Sequence, residues 1–226
     1  MIQALGGTVP TFAHHSLLTG SQGEALSKRL GTLALRDLRE NGIVPMAILS
    51  LMARLGSSDP VELRETIEEV VLGFELSKFG SAPTKFDADD LGPLTARWLA
   101  ARPYNAVANV VAELGVPENL GERFWSVVCE NIESLDQMGD WWEVFRDGAA
   151  SQIADEDVEF VSQALALLGE PPYADDTWAT WTTAVKDVSG RKGKGLFMPL
   201  RHAVTGMTRG PEMADVMPLL QTKPKA

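Results

Sequence analysis

One cysteine in 226 residues, Cys129, closes no internal disulfide, so the fold cannot lean on cross-links. It sits in an apolar stretch and reads as a small buried side chain. Histidines number three. His14 and His15 are adjacent, so in an extended segment they point to opposite faces, and His202 stands alone. With no further Cys or His at ligand spacing, no protein-bound metal is expected. Missing too is any apolar run near the roughly 18 residues that cross a bilayer. Residues Met1 to Gly7 carry neither the basic cluster nor the apolar core of a secretory leader. These absences together predict a cytoplasmic chain without membrane contact. Positive charge is scarce: 20 Lys and Arg face 31 Asp and Glu, a net charge of −11. Taken alone, that balance argues against nucleic acid as a partner.

The average conceals a pattern. Residues 1–54 hold five cations and three carboxylates, whereas residues 55–147 hold seven and 18. Residues 148–185 have seven carboxylates and no Lys or Arg; residues 186–226 have eight cations and three carboxylates. Positive ends around an acidic middle suit a partner that touches only certain faces. The hydrophobic share, 45%, is enough for a real core at this length.

Helix signals dominate after residue 30. Thr8–Ala13 reads as extended and Thr19–Gly23 as a turn. Helices are expected over Leu33–Glu40, over Met46–Leu55 with Pro45 at its first position and Gly56 as its stop, and from Asp59-Pro60 through Leu72. Gly80–Thr84 marks a break. Beyond it come Asp87 to about Ala101, Tyr104–Leu114, Leu120–Ile132 and Gln137–Phe145. Gly148–Ser151 marks a second break. An Asp155-capped helix then runs through Leu168, with Val158, Val161, Leu165 and Leu168 at helical spacing. Thr177–Val188 follows, then a helix around Pro199–Val204, a last one from Gly210-Pro211, and a frayed tail over residues 223–226. The fold class is therefore mainly α, with strands confined to the N-terminal segment, and the breaks divide the chain into 1–80, 81–148 and 149–226.

Two clusters could carry chemistry. In Gly20–Gly31, three glycines surround the adjacent cations Lys28 and Arg29, so a mobile backbone can swing charge onto an anion. An ammonium set against a polyphosphate stabilises the charge that grows as a leaving group departs. The plain alternative is an exposed turn with solvated charges. The second cluster, Gly190-Arg191-Lys192-Gly193-Lys194-Gly195, lacks the Gly–Lys spacing and the following Ser or Thr of a Walker loop. It reads as a basic patch for a nucleic-acid backbone or as a solvated turn. The Trp141-Trp142 pair with Phe145 reads as core. Asp89-Asp90, Asp155–Asp157 and Asp175-Asp176 flank helix starts, where carboxylates meet the helix dipole favourably.

Leu26-Ser27-Lys28-Arg29 resembles the KMSKS signature of class I aminoacyl-tRNA synthetases, in the Lys-Leu-Ser-Lys-Arg form of bacterial glutamyl-tRNA synthetases. Its flanks are similar too: Phe12-Ala13-His14 and Leu17-Leu18 before it, Ala47-Ile48-Leu49 and Ala53-Arg54-Leu55-Gly56 after it. Gly193-Lys194-Gly195-Leu196-Phe197, Pro199-Leu200-Arg201 and Thr205-Gly206 with Gly210-Pro211 resemble the C-terminal block of the same family. Trp181, Lys186 and Phe86-Asp87 also match. The resemblance extends, with gaps, over nearly the whole chain.

What it implies is specific. Residues 1–80 would be the ATP loop and a short mixed α/β stem-contact segment, followed by two all-helical anticodon-binding subdomains, 81–148 and 149–226. The implied function is ATP-dependent attachment of glutamate to tRNA(Glu), with ATP bound as its Mg2+ complex. Lys28 would be catalytic, stabilising the triphosphate as pyrophosphate leaves. Leu26, Ser27 and Arg29 would shape the loop. Arg191, Lys192, Lys194 and Arg201 would contact tRNA. The family's first motif lysine is Ala25 here, which removes one cation from the loop. The His-x-Gly-His motif of the nucleotide-binding half is absent from this sequence. ATP and glutamate are thus expected to bind only together with that half, and the chain alone, a monomer, is expected to be inactive. Two other readings stand beside this one: a non-catalytic tRNA-binding module derived from such an enzyme, and a helical protein-interaction domain.

Overall fold

The computed structural model describes residues 1–24, 26, 34–150 and 153–225. The chain divides into two compact units, Met1–Thr95 and Ala96–Ala226. Helices dominate both. Among the described residues the only strands are β1 (Leu18–Thr19) and β2 (Thr84–Lys85), paired in parallel. The class is mainly α. The second strand lies beyond the N-terminal segment to which the sequence reading confined strands. Thr8–Ala13 forms no strand.

In the first unit, α1 (Leu35–Glu40) forms within its expected span, whereas α2 (Pro45–Met52) starts where expected and ends three residues short of Leu55, capped at Ala53 rather than stopped by Gly56. Pro45 occupies the first turn of α2, where its missing N–H costs nothing. Gly56 has φ +87°, and a Cβ there would lie 2.8 Å from both Ser16 Oγ and Thr84 Oγ1. Only glycine serves at this position. It lets the segment beyond α2 pass against the β1–β2 pair, and its carbonyl accepts from Gly80 N at 3.0 Å.

The helix expected from Asp59-Pro60 through Leu72 is much shorter: α3 spans Ile67–Leu72. Two interactions hold the preceding residues out of helix. Ser50 Oγ accepts from Arg64 N at 2.9 Å, tying that backbone to α2. Thr66 Oγ1 then accepts from Glu69 N at 3.2 Å, and the Glu69 carboxylate accepts from Glu65 N at 2.9 Å. This reciprocal cap fixes the start of α3 at residue 67. At its far end the Arg54 guanidinium fills the space a side chain at Gly73 would need.

Asp87 opens a 3-10 turn (Ala88–Asp90), its carboxylate accepting from Asp89 N at 3.1 Å, and α4 (Leu91–Ala100) follows. Pro93 falls in the first turn of α4, where its missing N–H is tolerated. In the second unit, α5 (Ala108–Glu113), α6 (Glu118–Val128) and α7 (Gln137–Asp147) surround an aromatic core. Phe124 packs edge-on against Trp142 and Phe145, with centroids 5.8 and 6.0 Å apart, and Trp141 lies 5.5 Å from Phe145. All four rings are buried, as the sequence reading expects.

The remaining helices are α8 (Asp155–Ala166), α9 (Thr177–Ser189), α10 (Lys194–Thr205) and α11 (Met213–Val216). Val161, Leu165 and Leu168 are buried but Val158 is exposed, because α8 meets α10 along a narrower stripe than the spacing suggests. Asp155 is not a cap; it is the first helical residue, and Ala154 precedes it without a side-chain bond. Trp181 donates from Nε1 to the Ala164 carbonyl at 2.8 Å, joining α9 to α8. As far as residue 225 the tail is held in place: Gln221 N donates to the Phe145 carbonyl at 2.7 Å, Pro224 is buried, and Lys223 lies 3.7 Å from Glu170.

Candidate functional site

Gly190, at φ +69°, ends α9, and Gly193, at φ +54°, precedes α10. Between them stand Arg191 and Lys192. Helix α10 begins five residues before the expected Pro199, at Lys194, so Pro199 lies inside the helix rather than at its start. A proline there has no N–H for the carbonyl four residues back, Gly195 O. Arg191 Nη1 donates to that oxygen at 3.3 Å. The same guanidinium pairs with the Asp157 carboxylate and stacks 4.0 Å above the Phe160 ring. Arg191 therefore ties the loop to α8 and α10. Lys192 and Lys194 are exposed, with no hydrogen-bond or ion-pair partner among the described residues.

Spacing of four along α10 puts Lys194, Met198 and His202 on one face. Across from them the start of α8 presents Ile153, Ala154, Glu156 and Asp157. The two walls line an open groove of about 570 Å³, which Arg191 and Thr208 also border. Its lining combines apolar side chains with both signs of charge.

Arg201, next to His202 in α10, is buried in part. Its Nη2 donates to the Pro211 carbonyl at 2.9 Å, while Nη1 is buried and unpartnered. Gly210 makes this possible: at φ +140°, a Cβ would meet Trp141 Cη2 at 2.9 Å and sit 3.7 Å from Arg201 Nη1. Beside it a second depression, about 330 Å³, is lined by Asn131, Gln137, Asp140, Trp141, Met207 and Arg209. Of these, Asn131, Gln137, Asp140 and Arg209 were not singled out in the sequence. Their only signal was the Gly210-Pro211 turn that gathers them.

Of the Gly20–Gly31 loop, Ser27, Lys28 and Arg29 lie outside the described residues. Its start is a closed turn: Gly20 N donates to Glu24 O at 2.8 Å, and the Glu24 carboxylate accepts from Gln22 N at 3.1 Å. Leu26 is half-buried. No cluster of three or more metal-ligating side chains occurs among the described residues.

Family models place these two regions. Residues 1–92 match "tRNA synthetases class I (E and Q), catalytic domain", and residues 122–223 match "Anticodon binding domain". In both regions the chain is similar to parts of class I aminoacyl-tRNA synthetases. Within that class it is a homologue of the bacterial glutamate–tRNA ligases. It is 63% identical over 222 residues to glutamate–tRNA ligase 1 of Cereibacter sphaeroides, covering 98% of this chain and 50% of that protein. The corresponding ligase of Roseobacter denitrificans is 64% identical over 221 residues, with the same coverage. The chain thus spans about half the length of the curated relatives it matches. The crystal structure of glutamate–tRNA synthetase from Elizabethkingia anophelis superposes with a TM-score of 0.71 at 18% identity, over 96% of this chain and 50% of that one. At that identity the likeness speaks to fold.

Proposed function

We propose that this chain is the tRNA-holding part of a glutamate–tRNA ligase, a monomeric cytoplasmic enzyme that attaches glutamate to tRNA(Glu) with ATP as its Mg2+ complex. Residues 1–80 serve as the ATP loop and stem-contact segment, and 81–148 and 149–226 as two anticodon-binding subdomains. The observation that carries this reading is the pair of free, exposed cations Lys192 and Lys194 within the anticodon-domain match. Lys192 and Lys194 meet backbone phosphates, and each neutralised phosphate releases counterions. Arg191 holds the loop that presents them, and Arg201 acts beside them, bracing the Gly210-Pro211 turn through the Pro211 carbonyl.

In the first unit, Lys28 faces the triphosphate, with Leu26, Ser27 and Arg29 shaping the loop. ATP supplies the activation of glutamate as an adenylate. The assignment of Lys28 rests on the motif resemblance. Ala25, where the family has lysine, favours a second reading, a tRNA-binding module without catalysis. Filter binding of bacterial tRNA tests the shared claim, and ATP–pyrophosphate exchange separates the two. The chain alone is expected to show none; exchange by the isolated protein would refute its dependence on the half it does not span.

A further inference from the structure

Most of the large apolar side chains that stand exposed among the described residues belong to the first unit, although it is the smaller of the two. Helix α3 is the clearest case, for none of its residues is buried. Val70 and the following Gly73 are half-buried, and Arg54 fills the space beside Gly73. On a helix, Ile67, Glu68, Val71 and Leu72 share the opposite face. Ile67, Val71 and Leu72 are 58%, 65% and 89% exposed, and Phe74 and Leu76, just past the helix, are exposed as well. Apolar side chains gathered this way mark an interaction site. Charge limits what can sit there. From Asp59 to Glu75 the sequence holds six carboxylates and one cation, Arg64, which pairs with Glu62 at 2.7 Å. Lys78 is taken up by Asp59 and Glu75, at 3.0 and 3.5 Å. RNA phosphates are repelled from such a face, and a second copy laid on it face to face would set carboxylate against carboxylate. Its complement is an apolar protein surface with a basic rim.

We infer that the outer face of α3, with Phe74 and Leu76, docks the rest of the ligase's catalytic domain, and that the surface it meets there is apolar and edged by Lys or Arg. Two observations select this partner. Residues 1–92 match a catalytic-domain family, while the chain spans about half the length of its curated relatives. The partner that the first unit calls for is therefore the half this chain does not span. The buried apolar residues of the first unit, moreover, come from α1, α2, α4 and their flanks, and α3 adds none. Its apolar side chains serve no core within this chain. Leu72, the most exposed of them, is the natural anchor, since covering it removes a leucine side chain from water. Glu68 stands among the apolar side chains, where pairing with a partner cation fixes the register of the contact.

This inference rests on the reading of the chain as one part of a ligase, and the experiment keeps the two apart. The portion of Cereibacter sphaeroides glutamate–tRNA ligase 1 that does not align with this chain is co-expressed with the full chain, which carries an affinity tag at its C-terminus. Binding of bacterial tRNA by the purified chain is measured in parallel. The two polypeptides are expected to copurify and to sediment as a one-to-one complex. Leu72→Asp is expected to weaken that complex about tenfold or more, the loss of one interface anchor. Glu68→Lys is expected to weaken it too, whereas Val110→Asp, at an exposed position of the second unit, leaves it unchanged. All three variants are expected to keep the parent's circular dichroism spectrum and tRNA affinity. Failure of the two polypeptides to associate, or association that Leu72→Asp and Glu68→Lys both leave intact, would overturn the role of α3 while tRNA still binds. Self-association of the chain that Leu72→Asp abolishes would give the face to a second copy and overturn the inference as well. A parent chain that binds no tRNA would overturn the tRNA-holding reading without touching the association at α3.

Discussion

The Arg191 guanidinium lies 4.0 Å above the Phe160 ring, and from there it reaches the carbonyl that Pro199 leaves without a helical partner. One side chain thus offsets the cost of a proline inside α10 and fastens the basic loop to α8. Its neighbours Lys192 and Lys194 have no such duties.

The three cations should therefore separate by experiment. Arg191→Ala is expected to lower stability by about 1–2 kcal/mol, from the lost stacking and the lost, partly exposed ion pair. Arg191→Lys should recover little, because an ammonium cannot stack and fork at once. Lys192→Ala and Lys194→Ala are expected to stay within about 0.5 kcal/mol of the parent, as surface substitutions do. Urea unfolding followed by circular dichroism measures all four.

Gly210→Ala is expected to destabilise the second unit by roughly 2 kcal/mol or more, since a Cβ would press on Trp141 from a backbone that favours glycine. Near-ultraviolet circular dichroism should show the disturbed tryptophan. A variant with native signal and native melting would mean that the loop yields at no cost.

Thr66→Ala removes the hydroxyl that caps α3. A loss of about 1 kcal/mol is expected. Faster amide exchange across residues 67–72 would place the effect on that helix, and unchanged exchange would deny the cap its role.

Burial, with a smaller contribution from nearby Glu170, pushes the Tyr173 phenol up to about 12. Its hydroxyl donates to the Gly169 carbonyl at 2.9 Å, which a phenolate cannot do. Because the folded value lies above the ordinary value of 10, the unfolded chain ionises first. The contribution is fully present below pH 10 and is lost as pH rises toward 12. Chemical denaturation across that window should show a decline that Tyr173→Phe reduces.

Much of the helical frame was legible in the sequence because its signals are local. Pro45 marks the start of α2, and the Trp141–Phe145 stripe marks a buried face whatever it packs against. The start of α3 was not legible, because Ser50 holds Arg64 out of helix across a tertiary contact. The site was legible as charge and less so as geometry. Lys192, Lys194 and Arg191 look alike in a Gly-rich run, and only the placement of Asp157, Phe160 and Gly195 sets Arg191 apart. Pro199, read as a helix start, is an interior proline tolerated because an arginine answers its orphaned carbonyl. Asn131, Gln137 and Asp140 carry no motif and are gathered with Arg209 by the fold.

The central claim is that free cations of the second unit meet RNA phosphates. Its most direct test is tRNA affinity as a function of salt, for the parent chain and for Lys192→Ala/Lys194→Ala. Affinity is expected to fall steeply and linearly on a log–log plot, with a slope reduced by about two in the double variant. A slope near zero, or one that the double variant leaves unchanged, would contradict it.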